Sequence, residues 1–237
     1  RYYTGSDLMI KIHQNPTEIA SIWDSAYAVE EHKSPFLGGS WHELYLTTRS
    51  DQSIPCFLSI DDTMIAPFML EGKSLIFSGN KEISDYLDII GSSDKKSVAW
   101  DEIITWAKTQ QYENLILNNV SEKSSSYSHF LTQKNVTIIQ DDTTPNMQLP
   151  ESWDTYTSTL DRKNRHELKR KIRKFEAAYP NVSVETSVAT DATIQTLLHL
   201  MKLNPQKAQF LSTSMEKFFS LIPEYLGSLA YITQVVI

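Results

Sequence analysis

Asp161-Arg-Lys-Asn-Arg-His-Glu-Leu-Lys-Arg-Lys-Ile-Arg-Lys-Phe-Glu176 decides how the second half of this chain is read. The run holds eight of the chain's 22 Lys and Arg against three carboxylates. The rest of the sequence carries 14 basic and 26 acidic groups, so an acidic protein gathers its positive charge on one segment. Leu160, Leu168, Ile172, Phe175 and Tyr179 recur at helical spacing. That pattern predicts an amphipathic helix with one apolar stripe and a broad cationic face. Leu168, Ile172 and Phe175 are expected to pack inward. Arg165, Lys169 and Arg173, four residues apart, share one face and flank the stripe, where they are expected to face a cleft. Such a helix can hold Arg and Lys towards phosphate, carboxylate or nucleic acid. A solvated charged face accounts for the same residues.

Outward from that helix, the chain of 237 residues suffices for one large domain or two ordinary ones. A net charge of -7 makes the whole a poor non-specific DNA binder, so any polyanion contact is local. Cys56 is the single cysteine, which excludes an intrachain disulfide and fits a reducing cytoplasm. Its surroundings, Ile54 to Ile60, look like a buried strand, and an inert core thiol is the reading adopted. No apolar stretch approaches the length that spans a bilayer, and the opening residues do not read as a signal peptide. The chain starts without Met and stops in the strand-like run Leu229–Ile237, which reads as a fragment with its C-terminal part missing.

Strands are expected at Leu8–His13, Ile54–Ile60, Met64–Leu70, Ser74–Ser78, Glu113–Asn118, Val136–Gln140 and Val182–Thr186, with Asp61-Asp62-Thr63 as a hairpin turn. Helices are expected after Asn15-Pro16, over Trp41–Thr47, Val98–Gln110, Ser128–Lys134, Trp153–Leu160, from an Asp191 cap to Leu203, and over Thr213–Leu226. Pro145–Pro150 is the candidate linker. There is no Walker motif, no nucleophile elbow and no metal-spaced Cys or His cluster. His199 is read as packed on an apolar helix face. Asp61-Asp62 and Asp141-Asp142 are read as solvated turn charges rather than acid/base pairs. Asp85-Tyr86, in an otherwise apolar stretch, reads equally as a substrate-orienting pair or as a helix cap with a half-buried Tyr.

Several pieces, in order, resemble the GNAT superfamily acetyltransferases of the CelD-like, cellulose-biosynthesis type, which are related to the FemABX peptidoglycan amino-acid transferases. They are Ser34-Pro-Phe with Trp41, Ala66-Pro-Phe-Met-Leu70, Ile83-Ser-Asp-Tyr-Leu-Asp88 and Leu115 to Ser124. The most specific is Trp153-x-x-Tyr156 followed by Arg165-x-x-Leu168-Lys-Arg170-Lys-x-Arg173. The resemblance implies an α/β protein: tandem GNAT-like domains with mixed β-sheets flanked by helices, the second truncated. Residues 1–148 would form the first domain and 149–237 the opening of the second.

It further implies a cytoplasmic N-acyltransferase that moves an acyl group from acetyl-CoA or another acyl-CoA to an amine of a cell-envelope or polysaccharide precursor. The acyl-donor turn of such proteins would lie beyond Leu229, so the fragment is expected to be inactive and to bind no cofactor itself. A FemX-like aminoacyltransferase using aminoacyl-tRNA is the alternative enzyme, and a non-catalytic binding module is the alternative class. The catalytic residues stay unassigned. Arg165, Lys169, Arg170 and Arg173 are expected to bind an anionic part of the substrate, and Asp85, Tyr86 and Phe36 to line the acceptor side.

Overall fold

Alternation along two neighbouring strands fixes the architecture. The computed structural model describes residues 2–3, 8–140, 143–145 and 147–237, so Asp141-Asp142 and Asn146 of the expected linker lie outside it. Six strands form one sheet in the order β1 (Tyr2–Tyr3), β2 (Ile10–His13), β3 (Ile54–Ile60), β4 (Met64–Glu71), β5 (Ser74–Phe77) and β6 (Asn114–Ile116). All pairings are antiparallel except β5 with β6, which is parallel, so the sheet is mixed. Asp61 and Asp62 turn the β3–β4 hairpin with φ of 49° and 51°, the left-handed pair that a tight hairpin favours. Their carboxylates accept from the Met9 amide and bind Lys11, which makes them turn-fixing charges.

Cys56, Leu58, Ile60, Met64, Ala66 and Phe68 point to one face of the sheet. There they meet Ala99, Trp100, Ile103, Trp106 and Ala107 of α3 (Lys96–Thr109). Phe57 and Ile65, one residue out of step, point to the other face, onto Trp23 and Ala26 of α1 (Ala20–Ala28). Met69 lies on that side too, against Trp41, Leu44 and Tyr45 of α2 (Gly39–Thr48). Period 2 in the strands therefore makes three layers, with β3 and β4 buried from both sides. Cys56 lies inside, and burial pushes its thiol up to about 12, as befits an inert core cysteine.

The helices start where the sequence supplies caps. Asn15 accepts from Thr17, with Pro16 opening a 3-10 turn that leads into α1. Ser124 caps α4 (Ser125–Leu131), so that helix begins and ends three residues before the expected Ser128–Lys134. Val136–Gln140 is not a strand: β6 stays at the edge of the sheet, and Val136, Ile138 and Ile139 are exposed. Ser152 caps α5 (Trp153–Thr159), and Asp161 caps α6 (Arg162–Ala178). A two-stranded sheet follows, β7 (Ser183–Val188) with β8 (Tyr231–Val236). Between them run α7 (Asp191–Lys202), α8 (Pro205–Phe210) and α9 (Thr213–Leu226). Thr190, not Asp191, caps α7, through a reciprocal bond with Thr193. Asn204-Pro205 does more than break α7, because Asn204 also caps α8.

The described residues fall into two compact units, Arg1–Ile138 with Val188–Ala230, and Ile139–Ser187 with Tyr231–Ile237. In the first, α9 packs on α2: Phe218 lies 5.2 Å from Trp41, Tyr225 bonds Thr47, and Lys217 donates to the Thr47 carbonyl. His199 is exposed rather than packed. Ile194 and Leu198 form the buried stripe of α7, and the next residue points about 100° away from it.

Lys96 is the most demanding residue of this unit. It is the first residue of α3, where a cation opposes the helix dipole, and it is 1% exposed. Asp88 at 2.8 Å and Glu30 at 3.0 Å, both buried, offset that cost. Lys96→Met is expected to lower unfolding free energy by about 3–5 kcal/mol, because two carboxylates lose their only buried ammonium. A urea titration showing a loss under 1 kcal/mol would contradict this account.

Candidate functional site

Pro67 marks the site. A proline interrupts a central strand because it brings no N–H to the ladder. Ile65 exchanges two backbone hydrogen bonds with Ile90, and Phe68 pairs with Phe77 of β5. The strand beside β4 is therefore broken between Phe77 and Ile90, and Pro67 faces that gap. Its carbonyl takes the Ser78 amide at 2.8 Å. Residues 78–89 leave the sheet there as a loop.

The loop has unusual backbone. Gly79, Asn80 and Tyr86 have φ of 118°, 59° and 56°. Gly79 is required: a Cβ there would lie 2.7 Å from the Ser84 hydroxyl oxygen. That hydroxyl donates to the Gly79 carbonyl and accepts from the Trp41 indole at 2.8 Å. Asn119 donates its side-chain amide to the carbonyls of Lys81 and Ser84. Phe36 packs edge-on against Trp41, 4.8 Å between ring centroids, and its amide is held by Ser34 at 3.1 Å.

Asp88 anchors the far end. One oxygen accepts from the Ile89 amide and from Ser126, and the other from Lys96 and Ser124. Ser126 in turn accepts from Trp100 at 2.7 Å. Asp85 and Tyr86 stand between these two anchors, and both are exposed. No helix forms there, so the expected cap with a half-buried Tyr is replaced by an irregular loop that presents a carboxylate and a phenol to solvent. A bulky residue with positive φ is uncommon and costs roughly 1–2 kcal/mol. Strain of that kind collects at functional sites.

Beneath the loop sits His42, fully buried, with Nδ1 3.0 Å from the Ser78 hydroxyl oxygen and Nε2 without a hydrogen-bond partner. Burial among Trp23 and Phe57 pushes its pKa down to about 3, and the Phe36 backbone, the smaller influence, opposes the drop.

The other candidate residues lie in the second unit, on α6. This helix buries no residue. The expected inward packing of Leu168, Ile172 and Phe175 is not found: Leu168 is half-buried, while Ile172 and Phe175 are 36% and 41% exposed. The reason is a shortage of cover, since β7 has no buried residue and the side chains of β8 are half-buried or exposed. Arg165 uses one nitrogen on the Leu160 and Ser158 carbonyls and so braces the corner between α5 and α6, while its Nε has no partner. Arg170 makes a two-pronged bond to Glu167, which holds that carboxyl below its usual range. Lys169 and Arg173 are exposed.

The structure thus links Phe36 through Trp41 and Ser84 to the loop that carries Asp85 and Tyr86, and keeps the four cations on one helix. Sequence reading gave no role to Glu30, His42, Lys96 and Ser126, and held Asn119 and Ser124 only within the resembling piece Leu115 to Ser124. The available signal was polar residues such as Asp88 and Lys96 set beside apolar core runs. Among the described residues no group of His, Cys, Asp and Glu could hold a metal ion, and no helix is long and apolar enough to cross a membrane. No family model, curated protein or solved structure matches the chain.

Two outcomes test this geometry. Tyr86→Gly removes an L-residue from a left-handed position and exposes no core, so its unfolding free energy is expected to stay equal or to rise by up to about 1 kcal/mol. A clear loss would mean that the Tyr86 ring, not the loop backbone, holds the segment.

His42 has the opposite dependence to a paired histidine. Its folded pKa lies below the unfolded value of about 6.5, so its contribution is complete above that pH and is lost as pH falls. Between pH 6.5 and 5 the protein is expected to lose about 2 kcal/mol through this residue. Comparing denaturant titrations at the two pH values with those of His42→Leu isolates it; equal slopes would refute the assignment.

Proposed function

We propose that the protein is a GNAT-type N-acyltransferase built on tandem GNAT-like domains. It acts in the cytoplasm on an amine of a cell-envelope or polysaccharide precursor, with acetyl-CoA or another acyl-CoA as donor. One observation carries this reading. The four separate pieces of the first half that resemble the CelD-like group meet around one strained loop: Ser34, Phe36 and Trp41, then Pro67, then Ser84 to Asp88, then Asn119 to Ser124. Residues far apart in sequence converge on the presentation of Asp85 and Tyr86, which is more than core packing requires.

In this reading Asp85 and Tyr86 form the acceptor side. A carboxylate attracts an ammonium group, and a phenol can donate to or accept from a neighbouring sugar hydroxyl. The amine must shed a proton before it attacks the thioester carbonyl, and the thiolate then leaves. Arg165, Lys169, Arg170 and Arg173 would hold an anionic part of a substrate.

The test is acyl transfer from radiolabelled acetyl-CoA by the full-length protein to a panel of amino-sugar nucleotides, with thermal shifts for the same ligands. Asp85→Asn and Tyr86→Phe are expected to lower kcat/KM by about 10- to 100-fold, with unchanged melting. Absence of both transfer and any shift with coenzyme A would remove the acyltransferase reading and favour a non-catalytic module.

The exposed cations of α6 favour a second reading, a FemX-like aminoacyltransferase that uses aminoacyl-tRNA. Its signature is tRNA binding that falls steeply with salt.

A further inference from the structure

We propose that α6 is a docking surface for an anionic lipid bilayer. The helix has 17 residues, about 26 Å at 1.5 Å per residue. It carries eight cations and two carboxylates, Glu167 and Glu176. Leu168, Ile172, Phe175 and Tyr179 lie within about 60° of one another around the axis. None of the four is buried, and the Phe175 and Tyr179 rings are in contact, 5.3 Å between centroids. Arg165 and Lys169 border this stripe on one side and Lys171 on the other, with Arg162, Arg173 and Lys174 farther round and Lys163 and Arg170 opposite.

Two features have to be explained together, an exposed aromatic and aliphatic stripe and the charge around it. A soluble polyanion such as RNA uses the charge and can stack bases on Phe175 and Tyr179, but it leaves Leu168 and Ile172 in water. An apolar protein partner uses the stripe and leaves the charge idle. An anionic bilayer surface uses both: the stripe enters the headgroup boundary and the flanking cations meet lipid phosphates. Low mean hydropathy, a cationic polar face and Phe, Leu and Ile on the other face are what an interfacial helix needs. Most of the cations are also available: among the described residues Arg170 and Lys171 pair with Glu167, and Arg165 is held by the Leu160 and Ser158 carbonyls. Trp153, on the preceding helix α5 of the same unit, is 57% exposed and adds an aromatic residue of the type that settles at bilayer interfaces. The inference does not rest on the acyltransferase reading, since lipid binding needs neither donor nor acceptor.

The probe is a vesicle. The full 237-residue chain is incubated with large vesicles of phosphatidylcholine containing 30% (about a third) phosphatidylglycerol, with pure phosphatidylcholine vesicles and with unfractionated tRNA, and binding is read by flotation or filter retention. Binding to the anionic vesicles is expected, and at least about tenfold less to the neutral ones. Ile172→Ser with Phe175→Ser, and separately Lys169→Gln with Arg173→Gln, are each expected to cut vesicle binding about tenfold or more. The second pair alters only exposed cations, so it reports even if the first unfolds the unit. Failure to bind anionic vesicles overturns the proposal. So does tRNA binding that exceeds vesicle binding, or vesicle binding that survives both double substitutions.

Discussion

Everything in the first unit depends on the buried carboxylate of Asp88. Its two oxygens take the Lys96 ammonium, the hydroxyls of Ser124 and Ser126 and the Ile89 amide. Those donors come from the loop that leaves the sheet, from the first turn of α3 and from the cap of α4. Glu30, at the end of α1, joins through the same ammonium and also accepts from the Gly91 and His32 amides. A buried ion cluster seldom stabilises more than apolar packing of the same volume would. What it supplies is position, because an unmatched charge in that interior is far more costly than a mismatched methyl group. Four elements can close on one another only in the arrangement that satisfies every donor and acceptor. Trp100, donating to Ser126 from the middle of the apolar core, links this polar centre to the hydrophobic one.

The sheet explains why the loop can exist at all. A strand buried on both faces normally has neighbours along its full length. β4 loses one neighbour between Phe77 and Ile90, and the position opposite the gap is held by proline, which has no N–H to leave unpaired. The excursion therefore costs little hydrogen bonding. The segment that makes it accepts left-handed backbone at Gly79, Asn80 and Tyr86, and the Trp41–Ser84–Asn119 bonds fix that shape. A rigid loop that carries an exposed carboxylate and an exposed phenol is suited to binding, since little side-chain and backbone freedom remains to be lost when a ligand arrives.

Legibility in the sequence followed the strength of the local signal. The hairpin at Asp61-Asp62 and the helix start at Asn15-Pro16 could be read directly, because turn and cap chemistry is local. The strands Ile54–Ile60 and Met64–Leu70 stood out as apolar runs, though such runs do not announce burial on both sides. Val136–Gln140 looked like a strand on composition and failed because a strand needs a partner that composition cannot show. His199 was misplaced by one helical position relative to Ile194 and Leu198. The Asp88 cluster could not be read, because Glu30, Asp88, Lys96 and Ser124 are separated by up to 94 positions and only tertiary closure joins them. Asp85 and Tyr86 were visible as polar residues in an apolar setting, but the loop that presents them was not.

The helix α6 shows the limit of patterning as a guide to burial. Periodicity defines an apolar stripe, yet a stripe is buried only when an opposing surface of comparable area exists. Two strands of six residues and a helix of seven supply too little for seventeen residues of helix. Nor do the cations turn inward to compensate, since burying an Arg or Lys without a matched carboxylate costs more than leaving Phe175 half in water. The helix therefore keeps its regular backbone through capping by Asp161 and the Glu167–Arg170 pair, while its outer faces stay open. An element held together by local interactions and only thinly covered by its own unit has binding energy still available. That physical condition is shared by interfacial helices and by helices that await a partner, and the density of charge around the stripe is what separates the two.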